Sequence, residues 1–251
     1  MPVNNRHTTE TMSLTTPELS NSLWRYMDFT RFAAMLVNKG LFLARLDQLS
    51  DAHEGWIPQS PTNHYDGFFG QEEMARDAKL RKQCPTERKR FYVSCWHAND
   101  DQSDAMWKLY AKETEGVAIR TTFRNLQDSL KEAPQELSVY QVMYVDYKQE
   151  PVHAGSMLRA CLTKRMPFEH EKEVRVVWRN SEPSKSRSGA GFYVNCKLPT
   201  LIEQVYIAPT ENKWFVPIVK DILKKYGLTA NVVPSDLSVK PRARSIKPER
   251  A

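Results

Sequence analysis

One stretch of the chain, FEHEKEVRVVW at residues 168–178, constrains the fold more than any other. Its valine-rich half favours a β-strand, because β-branched and aromatic side chains fit a pleated sheet. If the valines and the tryptophan point into the core, Glu171, Glu173 and Arg175 share the opposite face. Two carboxylates about 6.6 Å apart along a strand can act on one small group. Burying like charges together is costly, so we expect this face to border water or a ligand.

Two alternatives stay open for this segment. It could be a solvated strand on which Glu171 or Glu173 pairs with Arg175, because surface ion pairs are common and weakly informative. It could also be a helix, in which Glu171 and Arg175 pair at i,i+4 and the argument for a cleft disappears.

The whole chain alternates strand and helix patterns irregularly. Strands are predicted at residues 23–27, 41–45, 90–96, 116–123, 137–147, 170–178, 192–197, 205–208 and near Val232. Helices are predicted at residues 30–37, 71–82, 104–112, 153–166 and 212–226, with Thr30 and Asp104 as N-caps and a turn-rich loop at residues 55–70. This pattern favours an α+β fold over a doubly wound sheet.

We therefore expect a single α+β domain over residues 21–234, with a mixed or split antiparallel β-sheet flanked by helices. Residues 1–20 are expected to be a flexible N-terminal segment, and residues 235–251 a flexible basic tail.

Composition excludes several classes of protein. The chain has 251 residues, of which 41% are hydrophobic and 26% charged, which is unlike disordered, collagenous or coiled-coil sequences. The longest apolar run, residues 32–37, is far shorter than the ~20 residues a membrane helix needs. The first twenty residues lack the apolar region of a secretory signal. We expect a cytoplasmic protein without a membrane partner.

Cysteine spacing and charge distribution add two expectations. The four cysteines form no C-x-x-C pair, so neither a zinc site nor a disulfide framework is indicated and reduced thiols are expected. The net charge is +6, and residues 235–251 contribute half of it. This tail could contact nucleic acid phosphates, or it could serve only as a solubilising terminus.

Common catalytic signatures are missing. The sequence contains no G-x-G-x-x-G, Walker-type G-K-[ST], G-x-S-x-G or H-E-x-x-H motif, which disfavours dinucleotide folds of the usual type, P-loop enzymes, serine hydrolases and zincins. The six histidines are scattered, so no metal site is expected.

Several motifs, taken in order, resemble a known family. LWRYM, LDQLSDAHEG, FYVSCW followed by AMWKLYA and GVAI, and FEHEKEVRVVW are similar to the bacterial family catalogued as domain of unknown function twenty-nine seventy-one, over roughly residues 23–208. The Glu-x-Glu-x-Arg element and the Met-Trp-x-x-Tyr helix are its most specific parts. The family's Asn-Asp-Pro-x-Glu turn occurs here as residues 50–54 without Asn and Pro.

This order of motifs is in turn similar to the ADP-ribosyltransferase superfamily, with an early strand carrying Arg or His, a middle strand carrying Ser or Tyr, and a late Glu-x-Glu strand. The resemblance implies an ADP-ribosyltransferase-like fold and NAD as the substrate. Carried over by position, Arg25 matches the first motif and Ser94 the middle strand. Glu173 then matches the catalytic glutamate, with Glu171 as its partner.

The chemistry of NAD cleavage is compatible with these residue types. Breaking the bond from nicotinamide to ribose develops positive charge at the anomeric carbon, which a fixed carboxylate such as Glu173 stabilises. Glu171 could orient or deprotonate an acceptor. The forked donors of Arg25 suit a diphosphate, although a strand arginine can also simply cover apolar surface with its stem.

Aromatic residues are candidates for stacking on a nicotinamide or adenine ring. Tyr26 and Trp107 are predicted cofactor-binding residues, and Trp96 is a third candidate. The apolar stripe around Trp107 is also typical of a packed core. Cys95 is expected to be a buried thiol, and Ser94 is expected to bond either the backbone or a ligand.

The sequence thus predicts an NAD-cleaving enzyme that passes ADP-ribose to water or to an unidentified protein or nucleic-acid acceptor. A role as a toxin or phage-defence effector follows only from the resemblance. One alternative is a metal-dependent nuclease or phosphodiesterase, with Mg²⁺ on Asp51, Glu54, Glu171 and Glu173 and with Lys172 assisting. However, a capping box explains Asp51 and Glu54 more simply, and on a strand Lys172 points away from the glutamates.

The other alternative is a module without catalytic activity that binds nucleic acid or a protein partner. It would use the basic tail together with aromatic residues such as Tyr92 and Phe68.

Overall fold

The computed structural model describes residues 14–57, 70–111, 115–147, 154–182, 189–209 and 213–237. The strands in these ranges are β1 Ser22–Asp28, β2 Gly40–Arg45, β3 Phe91–Ala98, β4 Gly116–Thr122, β5 Ser138–Gln141, β6 Met143–Val145, β7 Thr163–Arg165, β8 Glu173–Arg179, β9 Gly191–Asn195, β10 Gln204–Ile207 and β11 Asn231–Pro234. The α-helices are α1 Phe29–Val37, α2 Gln71–Glu87, α3 Asp104–Tyr110, α4 Phe123–Leu130, α5 Met157–Cys161, α6 Leu198–Leu201 and α7 Phe215–Lys225. Short 3₁₀ helices lie at Leu46–Gln48, Arg88–Arg90 and Met166–Glu171.

Nine of the described strands form one mixed sheet. Its main path is β11-β10-β4-β1-β3-β2-β9, and β8 joins β3 to β5. Within it β10 and β11 are parallel, and the other described pairs are antiparallel. Strands β6 and β7 form a separate parallel pair. The predicted α+β class with a mixed antiparallel sheet and flanking helices is confirmed.

The sheet divides along β3. One side of this strand pairs with β8 over nearly its full length. On the other side, β1 pairs only with His97 and Ala98, whereas β2 pairs only with Tyr92 and Val93. In these ladders residues 94–96 have no partner on that side. An opening therefore separates β1, β2 and β3 in the middle of the sheet, which confirms the predicted split.

Each face of the sheet carries its own core. The larger cluster contains residues of α1, α4 and α7 packed on one face, whereas a smaller cluster joins the other face to α2 and α5. A third cluster packs α3 against Trp24 and Tyr26 of β1. Burying one large apolar side chain contributes about 1.5–3 kcal/mol, so these layers fix the strands that border the opening.

Both predicted N-caps are displaced by one or two residues. Helix α1 is capped by Asp28, which accepts a hydrogen bond from the Arg31 N–H, and Thr30 lies inside the helix. Helix α3 is capped by Ser103, and Asp104 is its first residue. Ser and Asp are equally good caps, so the sequence could not distinguish neighbouring candidates.

Two predictions about the chain between residues 123 and 171 are wrong. The helix expected over residues 153–166 is limited, in the described part, to Met157–Cys161, and the chain then forms β7. The strand expected from His170 begins only at Glu173, because a 3₁₀ helix precedes it. Helix α4, at Phe123–Leu130, was not predicted.

Some predictions concern residues outside the described ranges. They are the N-terminal segment up to residue 13, most of the loop at residues 55–70 with Phe68, and the basic tail from residue 238 onward. Among the described helices, none is both long and apolar enough to cross a bilayer.

Candidate active site

The opening beside β3 holds a cavity of about 590 Å³, which lies within the range of ~300–1,000 Å³ typical of small-molecule sites. It is lined by five of the six residues predicted to act in catalysis or cofactor binding, namely Arg25, Tyr26, Ser94, Glu171 and Glu173. A separate, more open depression of about 690 Å³ beside α4 and β5 contains none of these residues.

Strand parity explains how one cavity collects these side chains. Side chains two residues apart on a strand lie on the same face. Arg25 therefore shares a face with Leu23, and Ser94 shares a face with Trp96, so both lie on the side of the larger core. Glu173 has the parity of Val177, which belongs to the core of the other face. The cavity reaches residues of both faces because it occupies the split between the strands.

Arg25 enters the cavity from β1. Its guanidinium donates hydrogen bonds to the Ser94 hydroxyl and to the Phe42 carbonyl oxygen at 3.3 Å, and it lies 5.7 Å from the centre of the Trp96 ring. The Ser94 hydroxyl, expected to bond backbone or ligand, bonds this side chain instead. Burial lowers the pKa of Arg25 to about 10, so it stays cationic at neutral pH. No carboxylate of the described residues forms an ion pair with it.

Glu173, the first residue of β8, is 5% exposed. Its carboxylate accepts two hydrogen bonds from Arg175, at 3.0 and 2.9 Å, and lies 3.4 Å from the Lys164 ammonium. Burial by itself would raise the pKa of Glu173, but the guanidinium of Arg175 and the ammonium of Lys164 outweigh it and lower the pKa to about 2. Glu173 is therefore a permanent anion at physiological pH.

Glu171 reaches the cavity in an unexpected way. It is not on the strand but ends the 3₁₀ helix, and Lys172 then turns the chain with a left-handed φ of 41°. The shared strand face predicted for Glu171 and Glu173 is thus wrong. Their proximity is nevertheless retained, because the Lys164 ammonium donates to Glu171 at 2.6 Å and also lies beside Glu173. The second Glu171 oxygen accepts from the Tyr110 hydroxyl at 3.0 Å.

Glu54 completes a buried ionic cluster. Its carboxylate lies 3.1 Å from Lys164 and 2.8 Å from Arg175. The predicted capping box is wrong, because Glu54 lies in a turn rather than in the first turn of a helix. We call the group of Glu54, Lys164, Glu171, Glu173 and Arg175 the acidic cluster, since its three carboxylates and two cations leave one net negative charge.

Each member of the acidic cluster is at most 7% exposed, so its charges interact strongly. Burial opposes the charged form of Lys164, but the neighbouring carboxylates outweigh it and raise its pKa. Arg175 behaves in the same way. All five groups belong to one coupled unit, in which breaking one pair would leave a buried charge uncompensated.

Of the four carboxylates in the nuclease alternative, Glu54, Glu171 and Glu173 line the cavity and Asp51 does not. Asp51 pairs with Arg165 at 3.0 Å, whereas the other three are bound by Lys164 and Arg175 as described. Lys172 donates to the Asn99 side chain and not to the cluster. In the described ranges, no group of three or more histidine, cysteine, aspartate or glutamate side chains could hold a metal ion.

Of the aromatic candidates, Tyr26 and Trp96 line the cavity and Trp107 does not. Trp107 is 3% exposed and packs edge-on against the Tyr26 ring at 4.9 Å. Its predicted contact with a cofactor is therefore corrected to a supporting role behind Tyr26. The Tyr26 hydroxyl accepts a hydrogen bond from the Ser103 N–H at 2.9 Å, which fixes the ring at the wall of the cavity.

Sequence reasoning missed two residues that line this cavity, Lys164 and His97, and it named Glu54 only as a ligand in the nuclease alternative. Lys164 lay in a predicted helix, and nothing in its surroundings indicated a contact with β8. His97 was set aside as an isolated histidine. The sequence did contain one signal for His97. It lies two residues after Cys95, the spacing that places two side chains on the same face of a strand.

Cys95 also lines the cavity, but it is not a nucleophile. Burial and the nearby Glu173 raise the pKa of its thiol well above the ordinary value, so it stays protonated. The sequence predicted a buried thiol, whereas the structure leaves the Cys95 side chain partly exposed.

Comparison with known proteins gives a match to a family and similarities to solved structures. The family described as Protein of unknown function (DUF2971) matches residues 106–176, which confirms the predicted resemblance over that part of the chain. No protein of curated function matches the chain. Thermus sp. 2.9 DarT in complex with carba-NAD+ is similar with 11% identity and a TM-score of 0.41, over 88% of this chain and 97% of that chain. DarT from the same source in complex with NAD+ gives 11% identity, a TM-score of 0.42 and coverages of 88% and 98%.

Proposed function

We propose that the chain binds NAD in the cavity beside β3 and cleaves it, transferring ADP-ribose to an acceptor or to water. One observation carries this proposal. The cavity has Arg25, a cation without a carboxylate partner among the described residues, and also the acidic cluster with its net negative charge. A half-buried cation is costly without a counter-charge, so a ligand is expected to supply an anion there.

The charge distribution of NAD is complementary to this cavity. Its diphosphate is anionic and suits the forked guanidinium of Arg25. Its pyridinium carries positive charge, which passes to the anomeric carbon as the glycosidic bond breaks. The acidic cluster would face that carbon, and the buried carboxylate of Glu173 would stabilise the charge because it is already ionised and held in place.

The ion pairs support different roles for the two predicted glutamates. Glu173, with a pKa of about 2, is a poor proton acceptor and a good electrostatic stabiliser. Both carboxylate oxygens of Glu171 are occupied, by Lys164 and Tyr110, so we assign Glu171 to positioning. Tyr26 would provide an aromatic wall for a ring of the substrate.

The proposal is tested by incubating the protein with NAD labelled in the nicotinamide, together with protein and nucleic-acid acceptors. We expect wild type to release nicotinamide and Glu173→Gln to do so about 10²–10³-fold more slowly, the usual effect of removing one electrostatic stabiliser. The control is Glu169→Gln, an exposed glutamate in the same 3₁₀ helix as Glu171, which should match wild type.

Two results would contradict the proposal. One is wild-type protein that leaves NAD intact with every acceptor. The other is a Glu173→Gln variant that stays folded by circular dichroism and is as active as wild type. Nucleic-acid cleavage that a chelator abolishes would instead favour the metal-dependent nuclease.

A further inference from the structure

His97, near the end of β3, has one ring nitrogen bound and the other free. The side chain is 3% exposed and lines the cavity. Its Nδ1 lies 2.6 Å from the carbonyl oxygen of Glu171. A carbonyl oxygen can only accept, so Nδ1 carries the proton and the lone pair is on Nε2. That Nε2 has no hydrogen-bond partner among the described residues.

A buried acceptor without a donor is destabilising. Such an atom, in a residue that lines a cavity, is explained when a bound molecule supplies the missing donor. The cavity that holds His97 is the one in which we place NAD.

The β-ladder places His97 beside Glu173, which is its direct partner across strands β3 and β8. The Ala98 N–H donates to the Lys172 carbonyl, whereas the backbone of Glu173 bonds Tyr144 and Val142 on its other side. The pair is therefore of the non-hydrogen-bonded type, in which facing side chains are closest, with Cα atoms ~4.5 Å apart. A proton accepted by His97 would thus arrive beside a fixed carboxylate.

Three other side chains of the cavity are poorly suited to accept a proton. Glu173 is too weak a base, with its pKa of about 2, and Cys95 is protonated. Both oxygens of Glu171 already accept hydrogen bonds. His97 alone among these groups combines a free lone pair with the basicity of an imidazole.

We propose that His97 is the general base of the transfer reaction, a role that rests on the proposed function. The bond from C1′ of the ribose to the nicotinamide nitrogen breaks, and its electron pair leaves with nicotinamide. A lone pair of the acceptor oxygen or nitrogen forms the new bond to C1′. The acceptor's proton moves to Nε2 of His97, and the imidazolium later releases it to water.

The pH dependence follows from the surroundings of His97. The titratable and charged groups that face it are Glu171, Lys172 and His170 from the chain before β8, Glu173 across the ladder, and Tyr26 from β1. Burial is the largest influence and lowers the pKa of His97 below its ordinary value of 6.5. The active neutral form therefore persists into mildly acidic solution, and activity should fall only at a pH below that value.

The test uses two substitutions and a matched control. His97→Asn retains a short donor toward the Glu171 carbonyl and removes Nε2, whereas His97→Gln retains a polar atom near Nε2 without its basicity. The control is His170→Asn, an exposed histidine in the neighbouring 3₁₀ helix. NAD binding is measured by calorimetry, and nicotinamide release is measured from pH 4.5 to 8 with the acceptors used above.

We expect both His97 variants to bind NAD and to release nicotinamide about 10²–10⁴-fold more slowly, without the acidic decline of wild type. The control should keep the wild-type rate at neutral pH and should still lose activity in acid. The inference is overturned if wild type is active and either variant that binds NAD keeps its rate and its acidic decline. A wild-type protein that releases no nicotinamide would instead defeat the proposed function.

Discussion

At the scale of single residues, Arg25 is the side chain whose environment most clearly indicates a bound ligand. It is held by a hydroxyl and a carbonyl, which orient it without neutralising it. An anion bound in the cavity would therefore gain a charge-assisted hydrogen bond that no described residue already satisfies.

Substituting Arg25 should weaken NAD binding measured by calorimetry. We expect Arg25→Ala to raise the dissociation constant about 10–100-fold, since hydrogen bonds to charged groups contribute about 1.5–3 kcal/mol. The dissociation constant of Arg25→Lys should lie between those of wild type and Arg25→Ala, because lysine keeps the positive charge but lacks the forked donors of the guanidinium. Arg124→Ala, on the exposed side of α4, is the control. Equal affinities for Arg25→Ala and wild type would disprove the contact with the diphosphate.

At the scale of elements, the turn between the 3₁₀ helix and β8 determines how the two glutamates meet. Lys172 adopts the left-handed region, which costs an L-residue about 1–2 kcal/mol and which glycine adopts freely. Without this turn, Glu171 would continue the strand and would share a face with Glu173. With the turn, the Glu171 side chain folds back to Lys164.

Replacing Lys172 by glycine should therefore not destabilise the protein. We expect Lys172→Gly to raise the free energy of unfolding by up to about 1 kcal/mol in urea titrations, because relief of strain exceeds the entropy that glycine adds to the unfolded chain. Lys220→Gly, at an exposed position inside α7, should lower it by about 1 kcal/mol. If both substitutions destabilise equally, the left-handed turn is not strained.

The same turn illustrates what the sequence could predict. Strands such as β1 and β3 were predicted because apolar and β-branched residues in short runs are a local signal. A left-handed lysine has no such signal, so the change from 3₁₀ helix to strand was missed. Helix α4 was missed as well, although its capping residue Thr122 is of a typical kind, because its first residue, Phe123, was assigned to the end of the preceding strand.

At the scale of the whole molecule, the candidate site depends on contacts between distant parts of the chain. Arg25, Ser94 and Glu173 were predicted to act together from a resemblance, and the structure places them around one cavity. Lys164 was not predicted in this site, and Glu54 was named only for the nuclease alternative, because their ion pairs arise only when β7 and the turn after β2 meet β8. Sequence periodicity carries no information on such contacts between distant segments of the chain.

The acidic cluster should also make the stability of the folded chain depend on pH. The folded pKa of Glu173 is about 2 and its ordinary value is 4.5, so the unfolded state binds the proton more readily. The carboxylate thus contributes about 3 kcal/mol above pH 4.5, which is lost as the pH falls from 4.5 towards 2. His97 acts in the same direction, since its pKa is lowered and protonation below 6.5 favours the unfolded chain.

We therefore expect the free energy of unfolding of wild type, measured in urea, to fall steeply between pH 5 and pH 3. Glu173→Gln should start from a lower value, because Arg175 loses a charged partner, and should fall less over the same interval. The difference between the two slopes isolates Glu173 from the other carboxylates, which titrate in both proteins. Parallel curves would mean that Glu173 is not held ionised by its neighbours, and they would remove the fixed anion on which the proposed cleavage of NAD depends.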